Sequence, residues 1–231
     1  MARTGEAHTK LFEENRETGY HLLVDLSPSL FFGTRVAFKS WVAAQLCAHI
    51  AWLANAAGEQ IGARIASAAH SANIPSSRHR EGLNTLFTQL ERVCAGTRDR
   101  KMTGSVLNDL LGHALQHTAS GTTLLLISDL LSLNPTSLNR LRKLTTSHPV
   151  SVIWVNDPVE VEAWPSGLYP IEHAGLIQVL DIGKQRHDWL SDLQQQHLEQ
   201  VAYLTNTLGI NVCPISTSGD PHEQLSAWLQ L

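Results

Sequence analysis

Apolar residues along this chain follow two alternating rhythms. Short unbroken runs, HLLV from position 21, TTLLLIS from 122 and VSVIWV from 150, mark buried strands. Longer stretches between them place apolar residues every three or four positions, as one face of a helix does. The first strand is Tyr20 to Asp25. The helix after it runs from Val36 to Ala57, with Phe38, Trp41, Val42, Leu46, Ile50 and Leu53 at helical spacing and Gly58 as its stop. Gln60 to Ser67 alternates as a second strand, and the stretch from His70 to Arg80, with Pro75 among Ser and Arg, reads as a surface loop. Helices are predicted over Glu81 to Cys94 and Ser105 to Thr118, joined by a charged loop. Thr122 to Ser128 is a strand ending on Asp129, and Asn134-Pro135-Thr136 opens a helix through Leu144. Val150 to Val155 is the next strand, with a sharp exit at Asn156-Asp157-Pro158. Leu176 to Asp181 reads as a short strand, Arg186 to Leu208 as a helix stopped by Gly209, and Ile210 to Ile215 as the last strand. A terminal helix from Pro221 to Leu231 takes Ser218 or Asp220 as its cap. The regular alternation predicts an α/β fold with a doubly wound, mainly parallel central sheet flanked by helices. Residues 20–231 form that domain. Residues 1–19 are a polar segment whose abrupt start looks truncated, with Lys10 to Glu14 as a candidate edge strand.

Composition narrows the function classes. The chain has 231 residues, 43% hydrophobic and 16% charged, enough for one domain with a substantial core. Net charge is −4 and no Lys/Arg run is present, so neither nucleic acid nor a membrane surface is an expected partner. Cys47, Cys94 and Cys213 are odd in number and widely separated. They read as thiols in a reducing compartment, which makes a cytoplasmic setting the expectation. No apolar stretch reaches the length of a membrane span, and Met1 to Glu6 is too polar for a signal peptide.

The candidate chemistry gathers where strands deliver acids to one edge of the sheet. Asp25, Ser27 and Ser29 in DLSPS place three hard oxygen ligands at alternate positions of one tight loop, spaced to converge on a small cation. Thr103, before Gly104 and at a helix start, offers a hydroxyl from a second loop, with Thr97 as a competitor in the same region. Asp129 offers a carboxylate from a third. Five oxygens on three loops plus water suit an octahedral Mg²⁺ shell, with Mn²⁺ or Ca²⁺ as alternatives. Two carboxylates against one divalent cation leave the metal electrophilic and able to take a Glu or Asp carboxylate from a protein partner. The plainer alternative is a turn in which Asp25 and Ser27 hydrogen-bond local backbone.

The Asp-x-Ser-x-Ser loop between an apolar strand and a helix resembles the metal-ion-dependent adhesion site of von Willebrand factor A-like domains. In that family the serines and threonine typically ligate directly and the acids act through water, and the resemblance implies the same roles here. KLFEENR from Lys10, LLVDLSPS with Phe32-Gly33, Lys39, GEQIG from Gly58, LLLISDL and VNDPVE from Val155 are together similar to the bacterial "domain of unknown function fifty-eight" family, a von Willebrand A-like group commonly associated with MoxR-type AAA+ ATPases. That resemblance covers most of the chain from about residue 8. Leu30 stands where the family usually has Met, and the family's upstream Gly-Asp-Asp and Ile-Asp-Trp motifs are not in this chain. The upstream part can carry membrane anchors, so a full-length form is expected to tolerate membrane association. The leading expectation is a non-enzymatic, metal-dependent interaction module working with an ATPase of the MoxR type. A metal-free structural scaffold and, less favoured, a metal-dependent hydrolase are the alternatives.

Other features carry less. His113 and His117 lie four apart on one helix, but without a Glu between them or a third ligand they read as a solvated pair. Ser27 stands where an aspartyl-phosphate transferase would need a second acid. The glycine motifs of dinucleotide, P-loop and nucleophile-elbow sites are all missing. Trp41, Trp52 and Trp189 read as core or domain surface. Trp164-Pro165 and Tyr169-Pro170, in a long connection from Asp157 to Gly175, read as pinning that loop or as a partner patch.

Overall fold

The computed structural model describes residues 19–95, 105–162, 166–173, 176–182 and 188–229. Strands β1 (Tyr20–Leu26), β2 (Ile61–Ser67), β3 (Ser71–Ser77), β4 (Thr123–Ser128), β5 (Val150–Asn156) and β8 (Asn211–Ser216) form one sheet in the order β3-β2-β1-β4-β5-β8. All neighbours in it are parallel except β3, which runs antiparallel to β2. The expected doubly wound α/β architecture is therefore what the chain forms.

Alternate side chains of the central strands enter opposite layers, as the two-residue period of a strand requires. Leu22, Val24, Ile127, Ile153 and Val155 pack against helices α1 (Lys39–Ala56) and α2 (Arg80–Ala95) and against Leu225 of α7 (Pro221–Leu229). Leu23, Leu124, Leu126, Val152 and Trp154 pack against α3 (Val106–His117), α4 (Pro135–Thr145) and α6 (Asp188–Asn206). Both faces of the sheet are covered, which is why its strands read as continuous apolar runs.

Three expectations need correction. The stretch from His70 to Arg80 is mostly strand β3, at the sheet edge, where only Ile74 is buried and Pro75 costs no central ladder bond. Its exposed polar side chains hid it. The first helix begins at Lys39 rather than Val36, because Phe38 is extended (φ −72°, ψ 146°) and Gly33 to Phe38 forms a closed loop. Phe38, Trp41, Trp52 and Leu53 are exposed on or beside that helix, and its buried side is instead Lys39, Ser40, Val42, Ala43, Leu46, Cys47 and Ala51. Finally, the connection after Asp157 contains helix α5 (Pro158–Val161) and strand β6 (Gly167–His173). The latter pairs with β7 (Leu176–Ile182) in a separate antiparallel two-stranded sheet, outside the main one.

Lys10 to Glu14, Thr97, Thr103 and Trp164-Pro165 lie outside the described residues, and of Tyr169, Pro170 and Trp189 only the backbone is described. Among the described residues no helix is long and apolar enough to cross a membrane.

Candidate functional site

The chain leaves β1 toward β2 on one side and later places β4 on the other, so the topological switch of the sheet lies between β1 and β4. Ligand sites of open α/β sheets form at such a crevice, beyond the carboxyl ends of the strands. Asp25 and Asp129 stand at this place. Both are fully buried.

Asp25 is held from two sides. The Ser27 amide donates to its Oδ1 at 2.9 Å, and the Ser128 hydroxyl donates to its Oδ2 at 2.7 Å. Ser128 also accepts from the Leu130 amide at 3.0 Å, so one hydroxyl ties the first acid to the loop carrying the second. Burial, and then the charge of Asp129, raise the Asp25 pKa from 3.8 to about 6, against the opposing hydrogen bonds from Ser128 and Ser27. After Ser27 the chain makes a single 3₁₀ turn, Pro28–Leu30, anchored by fully buried Leu30. The turn brings the Ser27 and Ser29 hydroxyl oxygens to 3.1 Å from each other.

Asp129 follows β4 and is aimed by local geometry. Its Oδ1 accepts from the Leu131 amide at 3.1 Å. Leu130 between them is in the left-handed region (φ 60°) although fully buried, a conformation that costs a branched residue roughly 1–3 kcal/mol. The partner of its Oδ2 is not legible in the sequence. That partner is the Lys39 ammonium, 2.8 Å away and also 2.5 Å from Glu160 Oε1. Lys39 is fully buried, and its pKa stays above the ordinary lysine value: burial would lower it, but the charges of Asp129 and Glu160 outweigh that effect. Glu160 is raised by burial despite the attraction of Lys39.

Asp157 completes the frame. It accepts from the Thr34 amide at 2.9 Å and hydroxyl at 2.5 Å, from the Val159 amide at 3.2 Å and from the Thr217 hydroxyl at 2.7 Å. These bonds outweigh burial and hold its pKa below the usual carboxylate range. Glu160 in turn accepts from the Asp157 amide, closing a capping box on α5. One carboxylate thus joins the loop after the serines to the ends of β5 and β8. The Asp-Pro-x-Glu spacing and a lone lysine within the apolar period of α1 were the available signals for Asp157, Glu160 and Lys39.

Of the five expected ligands, Asp25, Ser27, Ser29 and Asp129 come together at this edge. Two ligands on adjacent corners of an octahedron with bonds of about 2.1 Å stand about 3 Å apart. The Ser27–Ser29 separation fits that spacing. Among the described residues no group of three or more His, Cys, Asp and Glu side chains is arranged to hold a metal ion, so a cation here would depend on hydroxyl oxygens. His113 and His117 do lie side by side, with ring centroids 4.4 Å apart.

Uncharacterised proteins of Mycobacterium tuberculosis and Mycobacterium bovis are each 27% identical over 222 residues, which is 95% of this chain and 68% of theirs. Among solved structures, the conserved hypothetical protein BatB from Bacteroides thetaiotaomicron is similar with a TM-score of 0.54 at 11% identity, covering 92% of this chain and 96% of that one. A von Willebrand factor type A structure from Catenulispora acidiphila is similar with a TM-score of 0.51 at 12% identity, covering 93% of this chain and 41% of that one. At such identities the likeness is one of fold, and the fold is von Willebrand A-like. A family model, "Protein of unknown function DUF58", matches residues 1–202, and the chain belongs to that family.

Proposed function

We propose that this domain is a non-enzymatic, metal-dependent protein-interaction module. The observation that carries the reading is the approach of the Ser27 and Ser29 hydroxyls to octahedral-edge spacing beside two fully buried acids at the switch point of the sheet. Ser27 and Ser29 would hold a Mg²⁺ ion directly, with Thr103 as the further hydroxyl and with Asp25 and Asp129 acting through water. Such an ion supplies one electrophilic position for a carboxylate oxygen of a partner. The chain's own residues do the rest. Ser128 and the Ser27 amide orient Asp25, and Lys39 fixes Asp129 and offsets part of the local negative charge. The resemblance to a family commonly associated with MoxR-type AAA+ ATPases makes an ATPase of that type the proposed partner. The free thiols of Cys47 and Cys213 are both buried, and burial pushes that of Cys47 up to about 12. Inert thiols of this kind suit the proposed cytoplasmic setting.

One observation favours the metal-free scaffold as a second reading. The Lys39 ammonium already gives Asp129 a buried internal cation. Thermal unfolding of EDTA-stripped protein, with and without millimolar Mg²⁺ or Mn²⁺, separates the two. A Kd one tenth of the added metal stabilises by about 1.4 kcal/mol. We expect a rise in Tm that vanishes when Ser27 and Ser29 are both replaced by Ala. No rise in the wild type would refute the module and leave the scaffold.

A further inference from the structure

The loop between the serine turn and α1 is built as a surface. The Lys39 amide donates to the Phe32 carbonyl at 2.9 Å, closing Gly33 to Phe38 into one loop, and Thr34 anchors it on Asp157. Gly33 has no alternative, since a Cβ there would meet the Ala37 carbonyl oxygen at 2.1 Å. The loop and Trp41 line an open cleft of about 440 Å³. Its apolar members face solvent: Val36 is 73% exposed, Phe38 57% and Trp41 60%, with Phe32 beside them at 40%. Large apolar side chains clustered this way mark a contact surface more often than scattered single ones do.

Position and charge select the occupant. The Phe32 ring centroid lies 5.8 Å from the Lys39 ammonium, so the apolar patch begins beside the acid site. Arg35 lines the cleft with its side chain more than half exposed, and among the described residues its ion pair is a long one, 3.9 Å to Glu162. A guanidinium with spare donors and a neighbouring cation site both attract carboxylates.

We infer that the Gly33–Phe38 loop and Trp41 dock an extended segment of a partner protein in which a Glu or Asp is followed or preceded, within two or three residues, by a large aliphatic or aromatic side chain. Two to three extended residues span about 7–10 Å, and the patch begins at the Phe32 ring, 5.8 Å from the Lys39 ammonium. The inference rests on the metal-dependent reading and adds its specificity: the acid binds at the metal and the apolar side chain fills the cleft. Both ends of the loop are tied down in the free protein, so little ordering cost opposes docking.

The probe is an array of short acetylated peptides with a central Glu and with Trp, Phe, Leu, Ser or Lys placed in turn on either side, each matched by a Gln analogue. Binding is read in Mg²⁺ and in EDTA, alongside sedimentation of the free protein. Phe38→Ser/Trp41→Ser is the paired variant. Both side chains are exposed and Ser is favoured at the N-cap position Phe38 holds, so the fold is kept. The expected result is Mg²⁺- and Glu-dependent binding that is about tenfold tighter with an apolar neighbour than with Ser, a preference the variant loses while keeping its dependence on Glu. Glu- and Mg²⁺-dependent binding without that preference, or with a preference the variant retains, overturns the cleft alone. Apolar preference without Glu or Mg²⁺ dependence overturns the metal-dependent reading and this inference together, as does no binding at all. Self-association that buries the loop and blocks the peptides makes a second copy the occupant and also overturns it.

Discussion

Replacing Lys39 by Met removes the ammonium and keeps most of the aliphatic stem. The substitution leaves Asp129, fully buried, and Glu160, 15% exposed, without the cation that both now contact. Breaking a buried ion pair from one side costs about 3–5 kcal/mol, because the remaining charge is neither solvated nor paired. In a domain of this size each kcal/mol moves Tm by about 2–4 °C, so the expected fall is roughly 6–20 °C at pH 7. The deficit depends on pH in a defined direction. Burial already raises the Glu160 pKa, and losing Lys39 removes the attraction that opposes the rise. A carboxyl with a raised folded-state pKa stabilises below its unfolded pKa and loses that contribution as pH rises through the folded value. The variant should therefore lie closest to wild type in acid and farthest at neutral pH. Paired melts at acid and neutral pH in EDTA measure this directly. Lys39→Met/Asp129→Asn should recover much of the loss, since removing both partners leaves less charge uncompensated. A neutral-pH loss below about 1 kcal/mol, or one that grows in acid, would refute the buried triad.

Two further outcomes follow from the same network. Asp25, raised from 3.8 to about 6, should make metal-free protein less stable as pH rises through that window, by on the order of 3 kcal/mol, and Asp25→Asn should flatten the pH dependence of Tm. Thr217→Val keeps the shape but removes the hydroxyl that donates to Asp157 at 2.7 Å, and should cost about 1–3 kcal/mol in urea unfolding.

The parts of this molecule that announce themselves in sequence are those buried on both sides. β1, β4 and β5 are buried on both faces and read as apolar runs, and Asp25 and Asp129 stand out because each ends such a run. Asn134 marked a helix start, and its side chain does accept from the Thr136 and Ser137 amides. What stayed hidden depends on contacts far apart in sequence. β3 has little apolar pattern because a strand at the edge needs only Ile74 inside. The exposed aromatics of α1 mimic a core stripe because an apolar period cannot say which side faces the sheet. Lys39 looks like a surface lysine until Asp129, 90 residues on, and Glu160, 121 residues on, meet its ammonium.

The charge balance at the switch point separates a working site from a frame. The Lys39 ammonium contacts both Asp129 and Glu160, and Asp157 accepts from four donors, so each of these three carboxylates has either a cation or four donors against it. Asp25 is the exception. It accepts from the Ser27 amide and the Ser128 hydroxyl, with a smaller contribution from the Ser27 side chain, and faces the charge of Asp129, with burial and that charge both acting against its ionised form. An amide in its place could accept from the Ser27 amide and donate to the Ser128 hydroxyl, keeping both contacts without the charge. A frame alone would gain stability at neutral pH from that exchange. A carboxylate in this position instead fits a function that draws on negative charge, and the adjacent Ser27 and Ser29 oxygens supply the neutral ligands that a divalent cation there would share with it.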